Sequence, residues 1–304
     1  MLVRKYFGAF QIFCLSNGEE NGISVMINPY STQWDNLARK LLKFLKGGAG
    51  DYSKFDKRQL SRIMFECLNV IQDYYGYGDK HATHMRSMIF LEIVFSRHVI
   101  GDVIYEWFQA LPSGNPFTTI LNCLYNLMLF RLCWISMSLP IEEFNLNTIV
   151  KVVGDDNNYS VSRAFCDVYT EDMLTLHMLN FGAIYTSEDK TTIRTGTRPL
   201  NETTFLKRGF KYDEELSRYV APLELGVILE MVLWTKSSHD SASITRTNVT
   251  RALQELAIHG EEVYDRYSDQ FRTALYRAHG TFPDQLNYRD CRDAVFSRSY
   301  VTEW

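Results

Sequence analysis

Residues 148–162 read TIVKVVGDDNNYSVS, two strand-forming segments joined through Gly154, Asp155 and Asp156. An apolar run, a Gly-Asp turn and a second alternating run predict a tight β-hairpin, and hence an antiparallel sheet. The two adjacent carboxylates constrain its surroundings further. At about 4 Å, like charges in a partly dry site repel by on the order of several kcal/mol unless a cation lies beside them. Oxygen-only ligands suit Mg²⁺ or Mn²⁺, and Mg²⁺ commonly takes one or two carboxylates plus substrate phosphates. Gly and Asp are also ordinary turn residues, so the turn acquires meaning only from its neighbours.

The chain has 304 residues, 46% hydrophobic and 22% charged, which describes a soluble globular protein and excludes a disordered one. Its net charge of -4 gives no global sign of nucleic-acid binding, so any such contact must use local basic residues. Six cysteines, scattered without a C-x-x-C pair, predict neither a zinc site nor a disulfide framework. The opening MLVRKYFGAFQIFCL imitates a signal peptide, but its apolar stretch is short and broken by Gln11, so secretion is not expected. The sequons at Asn158, Asn201 and Asn248 are then chance occurrences. The run 122–141 has membrane length but carries Asn122, Asn126 and Arg131, which predicts a buried core helix and no transmembrane segment.

Apolar spacing predicts a helix over 32–45, ended by Lys46-Gly47-Gly48-Ala49-Gly50, with a turn or short strand to follow. Residues 51–56 read as a strand end leading to a helix over about 57–75. The segment 89–108 is β-branched and aromatic around Gly101-Asp102 and predicts a second hairpin. A loop, 111–116, precedes the long apolar helix, and a helix over about 163–181 ends at Gly182. This order implies an α+β fold, an antiparallel sheet with helices packed on one face. From about 222 the pattern turns helical, with a break at Gly260, so the last ninety residues form a separate helical unit.

Asp51 and Asp56 lie five apart where a strand meets a helix start. A strand ending at Asp51 can lie beside the hairpin holding Asp155, and carboxylates so gathered can share two metal ions for phosphoryl transfer. For either aspartate alone a solvated cap is the simpler explanation. Thr118 and Asn122, four apart, share one helical face and can bond a common ligand, although polar groups at a helix start are often only caps.

Together, DYSKFD (51–56), PSGNPFTTILN (112–122), GDD (154–156), YTSEDK (185–190) and FLKRGF (205–210) resemble motifs A to E of the RNA-dependent RNA polymerases of picorna-like, dicistrovirus-like positive-strand viruses. LWTK (233–236) and IHGEEVYDRY (258–267) resemble the thumb of that family, and VRKYFGAF and VMINPYSTQW the segment after its motif F. The resemblance implies a right-hand polymerase palm over 1–214, with a residual fingers segment at about 76–108, and an all-helical thumb over 215–304. It implies template-directed RNA synthesis from nucleoside triphosphates on an RNA template and primer, with two Mg²⁺ or Mn²⁺ ions. Other viral replication proteins would be partners, in host cytoplasm at membrane-associated complexes.

Carried over by residue, the resemblance makes Asp51 and Asp155 the principal metal ligands, with Asp156 assisting. Asp56 would sense the ribose 2′-hydroxyl, in a hydrogen-bonded network with Thr118 and Asn122. Ser113 and Gly114 would belong to a loop that moves as the template base is positioned. Lys190 would protonate the leaving pyrophosphate, and Lys207 and Arg208 would hold the primer backbone through phosphates.

Three departures stand out. Ala110 replaces the family's usual glycine two positions before Pro112, Val153 replaces a common tyrosine, and Lys46-Gly47-Gly48 replaces an apolar strand. Residues 1–30 also lack the basic cluster of motif F, so this chain alone is expected to extend primers weakly or not at all. Two other readings compete: a reverse transcriptase, which usually places a bulky aromatic where Asp56 stands, and a non-catalytic palm-thumb fragment that only binds RNA or protein.

Overall fold

The computed structural model describes residues 1–190, 194–234 and 240–297. In chain order its first elements are α1 (Leu2–Ser16), α2 (Gly18–Asn21), α3 (Thr32–Leu41), β1 (Lys46–Tyr52), α4 (Phe55–Arg58), α5 (Ser61–Tyr75) and α6 (Lys80–Val94). Next come β2 (Arg97–Ile100), β3 (Val103–Glu106), α7 (Thr118–Ser136), α8 (Ile141–Asn147), β4 (Thr148–Val153), β5 (Asp156–Val161), α9 (Glu171–Met178) and β6 (Tyr185–Ser187). The last are β7 (Lys211–Asp213), β8 (Arg218–Val220), α10 (Leu225–Met231), α11 (Ser241–His259), α12 (Glu261–His279) and α13 (Tyr288–Phe296). The chain divides into two compact units, Met1–Met26 with Lys40–Leu206, and Ile27–Arg39 with the described residues from Lys207 onward.

The first unit is built on a four-stranded antiparallel sheet in the order β4-β5-β1-β6. Gly154 takes φ +65° and closes the two-residue turn between β4 and β5, where a side chain would be strained. Tyr52, Tyr159 and Tyr185 of the sheet are buried in one core with Phe130 and Trp134 of α7 and Met178 of α9. Phe130 meets Tyr159 and Tyr185 at ring-centroid distances of 5.6 and 6.3 Å. Helices on one face of an antiparallel sheet are the α+β layer that the element order implies.

The glycine run expected to break the chain is the central strand itself. A Cβ on Gly47 would lie 1.8 Å from the Tyr159 carbonyl oxygen, and one on Gly50 2.1 Å from the Tyr185 ring. β1 is thus glycine-rich because its neighbours come too close for side chains, a demand that strand propensity does not express. Gly47→Ala is expected to destabilise the first unit by about 3 kcal/mol, read from urea denaturation, because the clash is with backbone that cannot rotate away.

Other boundaries also shift. The helix expected over 57–75 is interrupted at Gln59-Leu60, between α4 and α5. Residues 89–94 are helical, since α6 starts at Asp79, whose carboxylate accepts from Ala82 N at 2.9 Å, and runs on before the hairpin β2-β3. The helix expected over 163–181 is shortened to α9, N-capped by Thr170, with a 3₁₀ turn before Gly182. α7 is long and apolar enough to cross a membrane, and 67% of its most apolar 18-residue stretch is buried inside the protein, as in a core helix.

The second unit packs Ile228, Val249, Leu253, Leu256, Tyr264, Leu275 and Cys291 into a separate core. Its helices are joined by the short hairpin β7-β8 and by Trp34, which stacks on Phe210 at 5.0 Å. α13 had no sequence signal strong enough to be expected. Of the LWTK stretch, Thr235 and Lys236 lie outside the described residues.

Candidate active site

Register puts Asp51 beside the Asp155 turn. Gly50 of β1 pairs with Asn157 of β5, and Val153 of β4 pairs with Asp156, so Asp51 comes one residue beyond the level of Asn157. On its other side Asp51 pairs with Thr186 of β6, whose strand leads to Lys190. The Lys190 ammonium donates to Asp51 Oδ2 at 2.7 Å, and this contact raises the lysine above its ordinary value. Burial raises the Asp155 carboxyl, and the negative charges of Asp51 and Asp56 push it the same way, against Lys190.

Such a cluster fits a hard divalent cation. Its donors are carboxylate oxygens, they repel one another, and an ammonium already serves one of them as counter-charge. Among the described residues no three His, Cys, Asp or Glu side chains gather into a complete metal site. Two carboxylates without a third protein ligand suit an ion that takes its remaining ligands from substrate phosphate and water.

Asp56, at the start of α4, is held on both oxygens. Asn122 Nδ2 donates to Oδ1 at 2.8 Å and Ser113 Oγ to Oδ2 at 2.9 Å. Gln59, which no motif marks, donates to Asn122 Oδ1 at 2.6 Å and so fixes that amide's orientation. Thr118 departs from expectation: its hydroxyl donates to the Pro112 carbonyl at 2.8 Å, closing the loop on itself instead of joining Asp56. In that loop Gly114 has open space around it.

The loop is also stapled to the Asp56 segment by Leu111 N to Asp56 O at 2.9 Å and Ala110 N to Gln59 O at 3.2 Å. Ala110 adopts φ +96°, a region that favours glycine, so the alanine that replaces the family's usual glycine is strained there. Ala110→Gly is expected to stabilise the protein by about 1 kcal/mol, seen as a higher urea midpoint.

The Asp155 turn rests on further groups that sequence reasoning missed. Asn126 Nδ2 reaches the carbonyls of Gly154 and Asp155 at 3.0 and 3.1 Å, and Gly154 N donates to Cys123 Sγ at 3.1 Å. Thr118, Asn122 and Asn126 recur every four residues along α7, a polar stripe on an apolar helix that could have signalled this face. Beyond β6, Arg198 grips both oxygens of Glu188 at 3.0 and 2.8 Å and Glu171 at 2.6 Å. It thereby ties the segment before Lys190 to α9.

Arg208 is turned away from solvent. In the second unit its guanidinium is turned inward, onto Glu255 at 2.7 and 2.9 Å, the Ala221 carbonyl at 2.8 Å and Tyr30 at 3.1 Å. Those contacts engage both terminal nitrogens of the guanidinium. Lys207 keeps a half-exposed side chain, 3.6 Å from Glu224. Arg208→Leu, which strands Glu255 without its partner, is expected to cost about 3–5 kcal/mol of second-unit stability, measured by denaturation.

The family model for viral RNA-dependent RNA polymerase matches residues 1–275. The chain is 32% identical over 279 residues to the replicase polyprotein of Cricket paralysis virus, covering 86% of this chain and 16% of that one. It is 33% identical over 305 residues to the genome polyprotein of Rice tungro spherical virus, covering 96% and 9%. It shares the fold of the Sicinivirus 3Dpol RNA dependent RNA polymerase, with a TM-score of 0.78 at 20% identity over 98% of this chain and 60% of that chain. The model match over most of its length places the chain in a family: it belongs to the viral RNA-dependent RNA polymerases.

Proposed function

We propose that the chain carries the palm and thumb of a polymerase for template-directed RNA synthesis in viral replication. The observation that carries this reading is Asp51 on β1 next to the Asp155 turn, with the Lys190 ammonium on Asp51 and an anchored Asp56 on the following turn. Residues 1–214 are read as palm with a residual fingers segment at about 76–108, and 215–304 as thumb.

In this reading the primer 3′-hydroxyl attacks the α-phosphate of a nucleoside triphosphate, and pyrophosphate leaves. Asp51 and Asp155, with Asp156 beside them, would hold two Mg²⁺ or Mn²⁺ ions, which supply acidification of the hydroxyl and neutralisation of phosphate charge. Lys190, kept protonated by Asp51, stands ready as the proton donor for the leaving group. Asp56 has both oxygens fixed by Ser113 and Asn122 and offers remaining lone pairs to the 2′-hydroxyl of a ribonucleotide. Lys207 faces phosphate as an exposed cation, and base choice is left to pairing with the template. The ligands are an RNA template, a primer and nucleoside triphosphates. Two relatives are polyproteins, one named a replicase polyprotein, so other viral replication proteins are proposed as partners.

Primer extension on a mixed-sequence RNA template, by a polymerase preparation that includes this chain, tests the reading. Ribonucleotides are expected to be incorporated in the order of the template, with a requirement for Mg²⁺ or Mn²⁺. A preference for deoxyribonucleotides would make it a reverse transcriptase, and RNA binding without extension would make it a non-catalytic module.

A further inference from the structure

Asp51 is flanked on β1 by two residues that are each wired to the Asp155 turn. On one side the Tyr52 hydroxyl donates to Asn126 Oδ1 at 2.9 Å, and Asn126 Nδ2 donates onward to the carbonyls of Gly154 and Asp155. On the other side the Gly50 carbonyl accepts from Asn157 Nδ2 at 3.0 Å, and the same amide reaches the Asp155 carbonyl at 3.1 Å. Asn157 is oriented in its turn by the Tyr185 hydroxyl, 2.7 Å from its Oδ1. The Asp155 carbonyl is therefore held by two carboxamides, one anchored to each neighbour of Asp51.

All four side chains are buried, Asn126 at 0% and Asn157 at 2% exposure, Tyr52 at 4% and Tyr185 at 1%. Each tyrosine hydroxyl donates to a carboxamide oxygen, which commits the NH₂ end to the backbone carbonyls. The polarity is thus fixed at both ends, and neither amide can flip without losing bonds on both sides. Burial makes that loss costly, so the linkage resists displacement of the turn relative to β1.

We propose that Asn126 and Asn157, oriented by Tyr52 and Tyr185, are positioning residues that set the spacing between the Asp51 and Asp155 carboxylates and so the affinity of the site for a divalent cation. This inference rests on the reading of Asp51 and Asp155 as cation ligands. Neither asparagine touches the reacting atoms. They act through the backbone of the turn, as outer partners of a metal site act through its ligands.

The test is a Mn²⁺ titration of the purified protein, followed by the electron paramagnetic resonance signal of the free ion, with no nucleotide present. Tyr52→Phe and Tyr185→Phe remove only a hydroxyl each and keep the packing, whereas Asn126→Ala and Asn157→Ala remove the whole link. Relative to the unmodified protein, the double Tyr52→Phe/Tyr185→Phe variant is expected to bind Mn²⁺ about 10-fold more weakly, with a cooperative melt retained. In extension assays its half-saturating Mg²⁺ should rise by a similar factor while the nucleotide KM measured at saturating Mg²⁺ stays unchanged. Should the alanine variants fail to fold, the phenylalanine pair still decides. Asp155→Asn is the control: if it binds Mn²⁺ as the unmodified protein does, the cation-ligand reading fails. If Asp155→Asn loses binding and the tyrosine pair does not, the positioning inference is overturned and the ligand reading stands.

Discussion

Asp155→Ala is expected to lower single-turnover nucleotide incorporation by about 10³-fold or more, the effect of losing roughly 4 kcal/mol of transition-state stabilisation. The fold should survive it. The carboxyl is raised by burial and by the charges of Asp51 and Asp56, so at neutral pH without cation it opposes folding, and removing it relieves that repulsion. The sign follows from the raised value: a carboxyl held above its ordinary pKa favours the folded state only in acid, and that contribution is lost as pH rises through the folded pKa. The melting temperature in metal-free neutral buffer is accordingly expected to rise by about 1–4 °C, seen by calorimetry. Incorporation near the unmodified rate would remove Asp155 from the reaction. A lower melting temperature would show the carboxylate to be structural.

Asp56→Ala should act on selectivity. Its carboxylate is the end of a chain of donors, Gln59 to Asn122 to Asp56, joined by Ser113. A polar network built to pair with a hydroxyl rejects the substrate that lacks it, because its own groups are then left unpaired. With Asp56 removed, the ratio of kcat/KM for a ribonucleotide to that for its deoxy counterpart is expected to fall by about 10²-fold or more, chiefly through the ribonucleotide. Gln59→Leu should move the ratio the same way but less, since it only frees the Asn122 amide to turn. An unchanged ratio in Asp56→Ala would place 2′-hydroxyl recognition elsewhere.

The parts legible in the sequence are those whose cause is local. The hairpin at Gly154 could be read because a Gly-Asp turn between an apolar run and an alternating one is a short-range signal. The break at Gly260 between α11 and α12 was visible for the same reason. β1 was obscured because its glycines answer to Tyr159 and Tyr185, more than a hundred residues away. Residues 89–94 looked like strand on composition, yet the cap at Asp79 committed them to helix from ten residues upstream. In the site, the ordered set of motifs brought out Asp51, Asp56, Asn122, Asp155 and Lys190. The groups that orient them, Gln59, Tyr52, Asn157 and Arg198, are ordinary residues whose partners come from other elements, so nothing in their own neighbourhood marked them; Asn126 alone had a local sign, its place in the polar stripe of α7. Arg208 shows the converse. The polymerase resemblance implies a phosphate contact there, but Glu255, 47 residues later, takes the guanidinium.

In the proposed reaction Asp51 and Asp155 bind the same reacting phosphate through divalent cations. Anomalous scattering from Mn²⁺ in crystals of the polymerase with RNA primer, template and a non-hydrolysable ribonucleoside triphosphate measures this directly. Mn²⁺ is expected to be bound by both carboxylates, with the ribose of the nucleotide against Asp56. A nucleotide paired to its template with Mn²⁺ bound to neither aspartate would contradict it.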